Sequence, residues 1–236
     1  MSSLKVIGTG SSGNCYVLEC EDQKLLLDVG VRENDIKKAL AFDFRNVVGA
    51  VVTHSHSDHC KSEENIKRMG IKVLAPYHGD VMAKSAWLGD YKVSAFDLPH
   101  DGVPNYGFFI RMPNGERFAY LTDMEMCVYN FRKQRLNHIL IECNHIDENL
   151  DEEEAKYAHV VRGHASLRVV KDFLEANWTE DLQTVILCHA NALEDTDRML
   201  HEVKETVGED VAVWMAEKRA EYWLDTGGCV KRYEKE

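Results

Sequence analysis

Apolar runs of four to seven residues recur along the chain, separated by glycine, proline and charged residues, and they predict β-strands. They occupy residues 4–7, 14–19, 24–30, 47–53, 71–75, 139–145 and 185–189. Two further strands, at residues 106–112 and 117–121, are predicted to form a hairpin because Pro113-Asn114-Gly115 between them is a strong turn signal. Short strands are also expected at residues 211–215 and 229–233.

Helical patterns alternate with these strands. They cover residues 35–42, 62–69, 167–177 and 194–207, and another helix is predicted to begin at the acidic residues 151–154. Ser166 is a good N-cap for the helix over residues 167–177. This alternation favours an α/β fold. Since 236 residues with 44% hydrophobic content can build one large core and no linker-like tract interrupts them, a single domain over residues 1–236 is expected.

The end of the strand over residues 47–53 carries the densest group of metal-binding side chains in the sequence. His54, His56, Asp58 and His59 follow one another within six residues. Protonated histidines this close would repel one another, whereas a divalent cation holds them neutral and binds their lone pairs. His54 and His56 point the same way if the backbone stays extended, so one cation could take this pair and a second cation the other. A merely polar surface loop explains the pattern poorly.

Other side chains of the same chemical kind also follow predicted strands. A histidine, His100, lies just past an extended segment, the carboxylate of Asp123 ends the hairpin, and His189 ends the last buried strand. In α/β sheets the carboxyl ends of strands carry the functional site. The sequence therefore predicts one site at that edge. Asp28, at the end of another buried strand, is expected to accept hydrogen bonds that orient the histidine loop.

Composition restricts the partners and the compartment. The net charge of −12 argues against broad adhesion to nucleic acid or to anionic membranes, and no apolar run is long enough to cross a membrane. Seven cysteines without a Cys-x-x-Cys pair look like the free thiols of a cytoplasmic protein, and the first residues do not resemble a secretory signal. The densest basic cluster contains Arg132, Lys133 and Arg135, and it is either a solvated helix face or a contact to a phosphate backbone.

Two further features have alternative explanations. Residues 8–13 match G-x-G-x-x-G, but they precede a strand instead of opening a helix, so a dinucleotide site is rejected. The segment is either a tight, flexible hairpin or a backbone nest that faces the metal edge and touches an anionic substrate. Cys60, directly after the histidine cluster, is either an additional metal ligand or a packed thiol.

The order His54-x-His56-x-Asp58-His59 resembles the signature of the metallo-β-lactamase fold superfamily. The resemblance implies an αββα sandwich with a one- or two-metal site at one edge of its two sheets. It further implies two divalent cations, zinc or manganese, with iron also compatible with the ligands. In that arrangement His54, His56 and His100 would hold the first cation and Asp123 would bridge the two. Asp58, His59 and His189 would hold the second cation.

Four short segments restrict the resemblance to one branch of the superfamily. Ser11-Ser12-Gly13-Asn14, Glu142-Cys143-Asn144-His145, Gly163-His164-Ala165-Ser166 and Cys188-His189-Ala190-Asn191 are similar to segments of a small, stand-alone exonuclease-like branch of bacterial and phage proteins, related to ribonuclease Z and phosphodiesterases. The resemblance implies hydrolysis of a phosphodiester, in nucleic acid or in a small molecule, by a hydroxide that bridges the two metals. Asp58 would take part in catalysis as a ligand of the second metal. Some members of the branch cleave DNA from 5′ to 3′.

His164 is the leading candidate for a proton donor. Gly163 gives the preceding backbone freedom and Ser166 caps the following helix, so the imidazole is held in a short loop near a helix N-terminus, where anions are favoured. It either contacts the scissile phosphate and protonates the leaving oxygen, or is a structural histidine bonded to a nearby carboxylate. His145 is the next candidate.

Three other functions use the same ligands. A thioester or lactone hydrolase would direct them at an acyl carbon. A di-iron redox protein of this superfamily usually needs a flavin domain, for which this chain has no room, and a non-catalytic metal-binding module would not require so complete a ligand set.

Overall fold

The computed structural model describes residues 1–79, 84–150, 157–225 and 230–232. Fourteen strands are present in this part of the chain. In chain order they are Ser2–Gly8 (β1), Cys15–Cys20 (β2), Gln23–Leu27 (β3), Val47–Val51 (β4), Val73–Leu74 (β5), Ser85–Leu88 (β6), Tyr91–Leu98 (β7), Asn105–Arg111 (β8), Arg117–Leu121 (β9), His138–Glu142 (β10), Thr184–Cys188 (β11), Ala212–Met215 (β12), Ala220–Trp223 (β13) and Val230–Arg232 (β14).

Six α-helices lie in the described residues. They are Glu33–Ala39 (α1), Ser57–Cys60 (α2), Glu63–Arg68 (α3), Tyr157–Gly163 (α4), Leu167–Asn177 (α5) and Thr196–Val207 (α6). The Ser166 hydroxyl accepts a hydrogen bond from the amide of Val169, so it is the N-cap that the sequence predicts for α5. None of these helices combines the length and the apolar character needed to cross a bilayer.

The strands form two sheets of seven. The first has the order β14-β13-β1-β2-β3-β4-β5 and the second β12-β11-β10-β9-β8-β7-β6. In the first sheet β3, β4 and β5 run parallel, and in the second β9, β10, β11 and β12 do. Strands β10 and β11 are buried along their whole length, which explains why their sequences are continuous apolar runs.

The two sheets pack face to face around a shared core. Leu18 and Leu25 of the first sheet belong to the same buried cluster as Phe108, Leu140 and Ile186 of the second. Helices α5 and α6 cover the outer face of the second sheet, and α1 and α3 cover that of the first. The order of layers is therefore αββα, and the predicted fold class is confirmed.

Several predicted boundaries differ from the structure. Strands β6 and β13 and helix α2 have no counterpart among the predicted elements, and each is only four residues long. Helix α4 follows residues 151–154, where a helix is predicted to begin. Helix α1 ends before residue 42, because Ala41 and Phe42 adopt left-handed backbone angles. The strand predicted over residues 24–30 ends at Leu27 for the same reason, since Asp28 has φ +55°.

Parts of two predictions lie outside the described residues: the helix start at residues 151–154 and both ends of the strand predicted over residues 229–233. The six cysteines in the described part of the chain are all free thiols. Cys15, Cys143 and Cys188 are completely buried in the core.

Gly30 allows the histidine loop to approach the first sheet. The Asp58 carbonyl, within that loop, accepts a hydrogen bond of 2.7 Å from the Asn14 amide, and the Gly30 amide donates one of 2.9 Å to the Asn14 carbonyl. A Cβ at residue 30 would lie 1.6 Å from the Asp58 oxygen, so no side chain fits there. Packing around this glycine therefore fixes the position of the loop.

Replacing Gly30 with Ala should lower the free energy of unfolding by about 3 kcal/mol, because backbone must move to admit the methyl group. Gly115→Ala is the matched control, since residue 115 has φ +88° but a Cβ there meets nothing within 4 Å. It should cost about 1 kcal/mol, the price of left-handed strain alone. Urea titrations followed by circular dichroism measure both values, and equal losses would contradict the packing argument.

Candidate metal centre

The first group of ligands comes from two loops that meet at the edge of the sheets. The ring nitrogens of His54, His56 and His100 lie within 4.8 Å of one another. His56 Nδ1 is 2.9 Å from His54 Nε2 and 3.2 Å from His100 Nε2. The other ring nitrogen of His100 donates a hydrogen bond of 2.7 Å to the Gly163 carbonyl, which leaves Nε2 directed at the group.

The second group lies directly beside the first. It contains Asp58, His59, Asp123 and His189, whose ligand atoms also lie within 4.8 Å of one another. Asp123 faces both groups: one carboxylate oxygen is 3.3 Å from His59 Nε2 and 3.9 Å from His54 Nε2. Its other oxygen is 3.6 Å from His189 Nδ1. The structure thus brings together all seven predicted ligands, with Asp123 between the two groups.

The electrostatics of this cluster suit a cation. Burial, together with the positive charge of His59, lowers the pKa of His54 to about 2, so the His54 imidazole stays neutral with a lone pair to donate. Burial opposes the charge of Asp123, but the neighbouring histidines outweigh it and hold the carboxyl pKa well below its usual range. Burial would also lower the pKa of His59, but the carboxylates of Asp123 and Asp28 raise it well above normal. A positive charge is therefore stabilised at this position.

Asp28 supports the ligand loop from below. Its carboxylate accepts hydrogen bonds from His59 Nδ1 at 2.7 Å, from the Thr53 amide at 2.8 Å and from the Tyr120 hydroxyl at 2.6 Å. The bond from Nδ1 leaves His59 Nε2 facing Asp123. Asn14 reaches the same ring, with its side-chain nitrogen 2.9 Å from His59 Nε2.

Three residues of the site have left-handed backbone angles although none is glycine. Asp28, Asp123 and His189 have φ values of +55°, +49° and +54°, and each follows a strand of the parallel part of its sheet. This conformation costs on the order of 1 kcal/mol or more for a residue with a Cβ. It turns each side chain from the strand end toward the cluster, so the surrounding fold maintains strain where the ligands lie.

Glu142 belongs to one of the four segments that carry the resemblance, but no role was predicted for its side chain, which lies at the site. Its side chain is completely buried, and one carboxylate oxygen accepts hydrogen bonds from His164 Nδ1 at 2.7 Å and from His189 Nδ1 at 2.8 Å. The other oxygen accepts from the backbone amides of Met124 and Ala165. A glutamate that ends a wholly buried strand needs partners, and that burial was the available signal.

His164 lies close to the ligand histidines. Its ring stacks on that of His189 with a centroid distance of 5.1 Å and lies 5.8 Å from that of His100. Burial disfavours a charged His164, but the Glu142 carboxylate outweighs burial and raises the pKa of His164 to about 9. His164 is thus bonded to a carboxylate, as a structural histidine would be. It also carries a proton and lies beside the metal ligands.

The structure assigns other surroundings to His145 and Cys60. His145 Nε2 lies 3.7 Å from Asp147, and the backbone of His145 pairs with that of Ser166, so its contacts do not run to the ligand groups. The Cys60 thiol donates to the Ser55 carbonyl at 3.2 Å and packs with the core under α1 and α3. Cys60 is therefore a packed thiol.

The predicted basic cluster lies at the wrong end of the second sheet for the site. Arg135 precedes β10 and forms ion pairs with Glu180 and Asp181, just before β11 begins. The ligands follow the opposite ends of these strands, and five residues of strand separate the two ends by about 13 Å. Arg132–Gln134 forms a single 3₁₀ turn in place of a longer helix.

The glycine-rich segment touches the site. The Thr9 hydroxyl accepts a hydrogen bond of 3.1 Å from the His189 amide, and Asn14 at the end of the segment contacts His59. Of the two interpretations of residues 8–13, the structure favours the one in which the segment faces the metal edge. It contains no helix that could bind a dinucleotide.

The residues present fit a pair of divalent cations. Each group offers three or four donors of the imidazole and carboxylate type, which zinc and manganese accept. His189 Nε2 is buried and has no hydrogen-bond partner among the described residues, as expected of an atom that needs a cation. The chemistry of the donors and this unpaired nitrogen therefore both indicate a cation site.

Comparisons with known proteins agree with this geometry. The chain is 29% identical over 142 residues to the exodeoxyribonuclease WalJ of Streptococcus pneumoniae, covering 50% of this chain and 52% of the relative. It is 27% identical over 148 residues to the exodeoxyribonuclease YycJ of Bacillus anthracis, covering 50% and 53%. The chain thus matches about half the length of each of these curated relatives.

A solved structure shares the whole fold. The metallo-β-lactamase fold protein YhfI of Bacillus subtilis superimposes with a TM-score of 0.70 at 15% identity, covering 94% of this chain and 98% of the other. Residues 8–174 match the sequence model of the metallo-beta-lactamase superfamily. The chain therefore belongs to the metallo-β-lactamase superfamily, as the order of residues in the histidine loop predicts.

Proposed function

We propose that this protein is a metal-dependent phosphodiesterase that acts on nucleic acid, with exonuclease activity on DNA as the leading case. The observation that carries the proposal is the Glu142–His164 pair beside two ligand groups that share Asp123. Likeness to relatives named exodeoxyribonucleases supports the choice of substrate. The six free cysteines in the described residues favour a reducing compartment, and we propose the cytoplasm.

His54, His56 and His100 would hold one cation, and Asp58, His59 and His189 the other, with Asp123 shared between them. Two cations of zinc or manganese, when bound, supply an activated water and neutralise charge on the phosphate. Asp28 orients His59, and Glu142 orients His189 and His164 through its hydrogen bonds. Three of the ligand histidines, His59, His100 and His189, are thus held by a buried carboxylate or a backbone carbonyl.

His164 would supply the proton for the leaving oxygen. It is partly buried, it holds a proton through its bond to Glu142, and its ring lies against His189 and His100. A phosphodiester bound at the two groups would therefore lie within reach of the imidazole. Alkoxide leaving groups need such a proton, whereas nitrophenolate does not.

The basic assay combines metal analysis with hydrolysis. We expect about two cations per chain and turnover of bis(p-nitrophenyl) phosphate and of end-labelled DNA, single-stranded and double-stranded. Turnover of thioesters or lactones without turnover of any phosphodiester would overturn the proposal.

Replacing Asp123 with Ala should remove at least one cation and nearly all hydrolysis, because no other described residue faces both ligand groups with a carboxylate. Metal content by mass spectrometry and turnover of the chromogenic diester measure the effect. Asp97→Ala is the control, since Asp97 is an exposed strand residue paired with Lys84. Full activity of the Asp123 variant would rule out a shared ligand.

Asp28→Asn should weaken metal binding by about 10–100-fold, the usual result of removing a support for a ligand histidine. The side-chain oxygen of asparagine can still accept from the Thr53 amide, and its NH₂ group can donate to the Tyr120 hydroxyl, so the fold should survive. Competition with a fluorescent chelator gives the affinity, and thermal unfolding of the metal-free protein checks the fold. An unchanged affinity would show that Asp28 acts on the scaffold alone.

His164→Ala should slow DNA cleavage by about 10²–10⁴-fold, the range for a lost general acid. Both cations should remain, and bis(p-nitrophenyl) phosphate should suffer much less. His201→Ala, at an exposed position on α6, serves as the control. Loss of metal, or equal losses on the two substrates, would assign His164 to the support of His189 instead.

A further inference from the structure

A cavity of about 590 Å³ opens beside the first ligand group. It is lined by the loop over residues 99–104, which includes His100, and by Glu125 and Arg162. This volume falls within the range of sites that hold a small organic ligand. None of the proposed metal ligands except His100 lines it, so the cavity extends the site without repeating it.

Backbone hydrogen bonds fix the walls of the cavity to one another. The Asp101 amide donates to the Arg162 carbonyl at 3.0 Å, and the Glu125 amide donates to the Pro99 carbonyl at 2.8 Å. His100 Nδ1 donates to the Gly163 carbonyl, the residue after Arg162. A ligand in the cavity would therefore be held at a set distance from the ligand histidines.

Two charged groups of the cavity, those of Arg162 and Glu125, have no partner among the residues that the structure describes. The Arg162 guanidinium, at the exposed end of α4, makes no ion pair or hydrogen bond with any residue that the structure describes. The Glu125 carboxylate likewise has none within the described ranges. By contrast, Arg135 and Arg198 each bind two carboxylates. In a chain with a net charge of −12, an unpaired guanidinium beside the site is available to an anion.

We propose that this cavity binds the nucleotide next to the scissile phosphate, with the Arg162 guanidinium on that nucleotide's own phosphate. The inference rests on the proposed function and adds to it a substrate contact beyond the metal ligands. Arginine binds phosphate in a bidentate manner, and Pro99, Val103 and Pro104 offer an apolar wall for the sugar or the base.

Glu125 makes a nucleotide a better occupant than a bare anion. The carboxylates of Asp101 and Glu125 on the wall would repel free phosphate, whereas the exocyclic amine of a cytosine can donate a hydrogen bond to that of Glu125. The cavity thus presents an anion-binding group, an apolar surface and a hydrogen-bond acceptor, which together match the parts of one nucleotide.

The experiment compares three variants of the metal-loaded protein: Arg162→Ala, Arg162→Lys and Arg132→Ala. Arg132 is the matched control, because it is an exposed arginine in the 3₁₀ turn at the far end of the second sheet. Both alanine variants change the net charge equally. Binding is measured by fluorescence anisotropy with a labelled, phosphorothioate-linked (dC)₈, which resists hydrolysis, over a range of salt concentrations. Turnover of bis(p-nitrophenyl) phosphate is measured separately.

Arg162→Ala should weaken binding of (dC)₈ about tenfold and reduce the slope of log affinity against log salt by about 0.7, the value for one lost phosphate contact on a single strand. Arg162→Lys should retain the slope but only part of the affinity. Arg132→Ala should change neither quantity and should hydrolyse the small diester as the parent does, whereas the two Arg162 variants should lose far less turnover of the small diester than affinity for (dC)₈.

An unchanged slope in Arg162→Ala would overturn the proposal, as would an equal fall in Arg132→Ala. A loss of small-diester turnover in Arg162→Ala that matches the loss of binding would also overturn it, since α4 would then act by positioning His100. Failure of the parent to hydrolyse any phosphodiester would refute the proposed function, and the binding measurements would still decide whether the cavity takes a nucleotide.

Discussion

A carboxylate buried between two sheets organises this protein. Asp28 is completely buried, so its charge is tolerated only because His59, Thr53 and Tyr120 all donate to it. Tyr120 lies on β9 of the second sheet, whereas Thr53 and His59 follow β4 of the first, so one carboxylate joins the two sheets at the edge where the ligands gather. Glu142 repeats this arrangement within the second sheet with His164 and His189. Two buried carboxylates therefore orient ligand histidines of the site, and hydrogen bonds within the core stabilise those carboxylates.

Much of this architecture could be predicted from the sequence, because strong local signals determine it. The histidine loop, the continuous apolar strands and the Ser166 cap each depend on residues close together in the chain. The superfamily and the layer order followed from them. The missed elements, β6, β13 and α2, are each four residues long, and β13 pairs with β1 at the other end of the chain, so their local patterns are weak.

The features of the site that the sequence left open have a common physical origin. The basic cluster at Arg135 could be a solvated face or a phosphate contact because a sequence does not show ion pairs with residues 45 positions away, such as Glu180. The reverse holds for Arg162, which stands alone in the sequence and became notable only when α4 placed it beside His100. No role was predicted for Glu142 because its two histidine partners come from separate segments. In each case the interacting residues lie far apart in the sequence and meet only in the folded chain.

The left-handed residues at three strand ends restrict how this site can change over time. Asp28, Asp123 and His189 are held in a backbone conformation that glycine adopts without the steric cost of a Cβ. In a lineage that no longer needs the cations, substitution by glycine would relieve this strain. A descendant that has lost catalysis is therefore expected to carry glycine at these positions while keeping the sandwich intact. Retention of the strained residues in a homologue is, conversely, a sign that selection still maintains the chemistry.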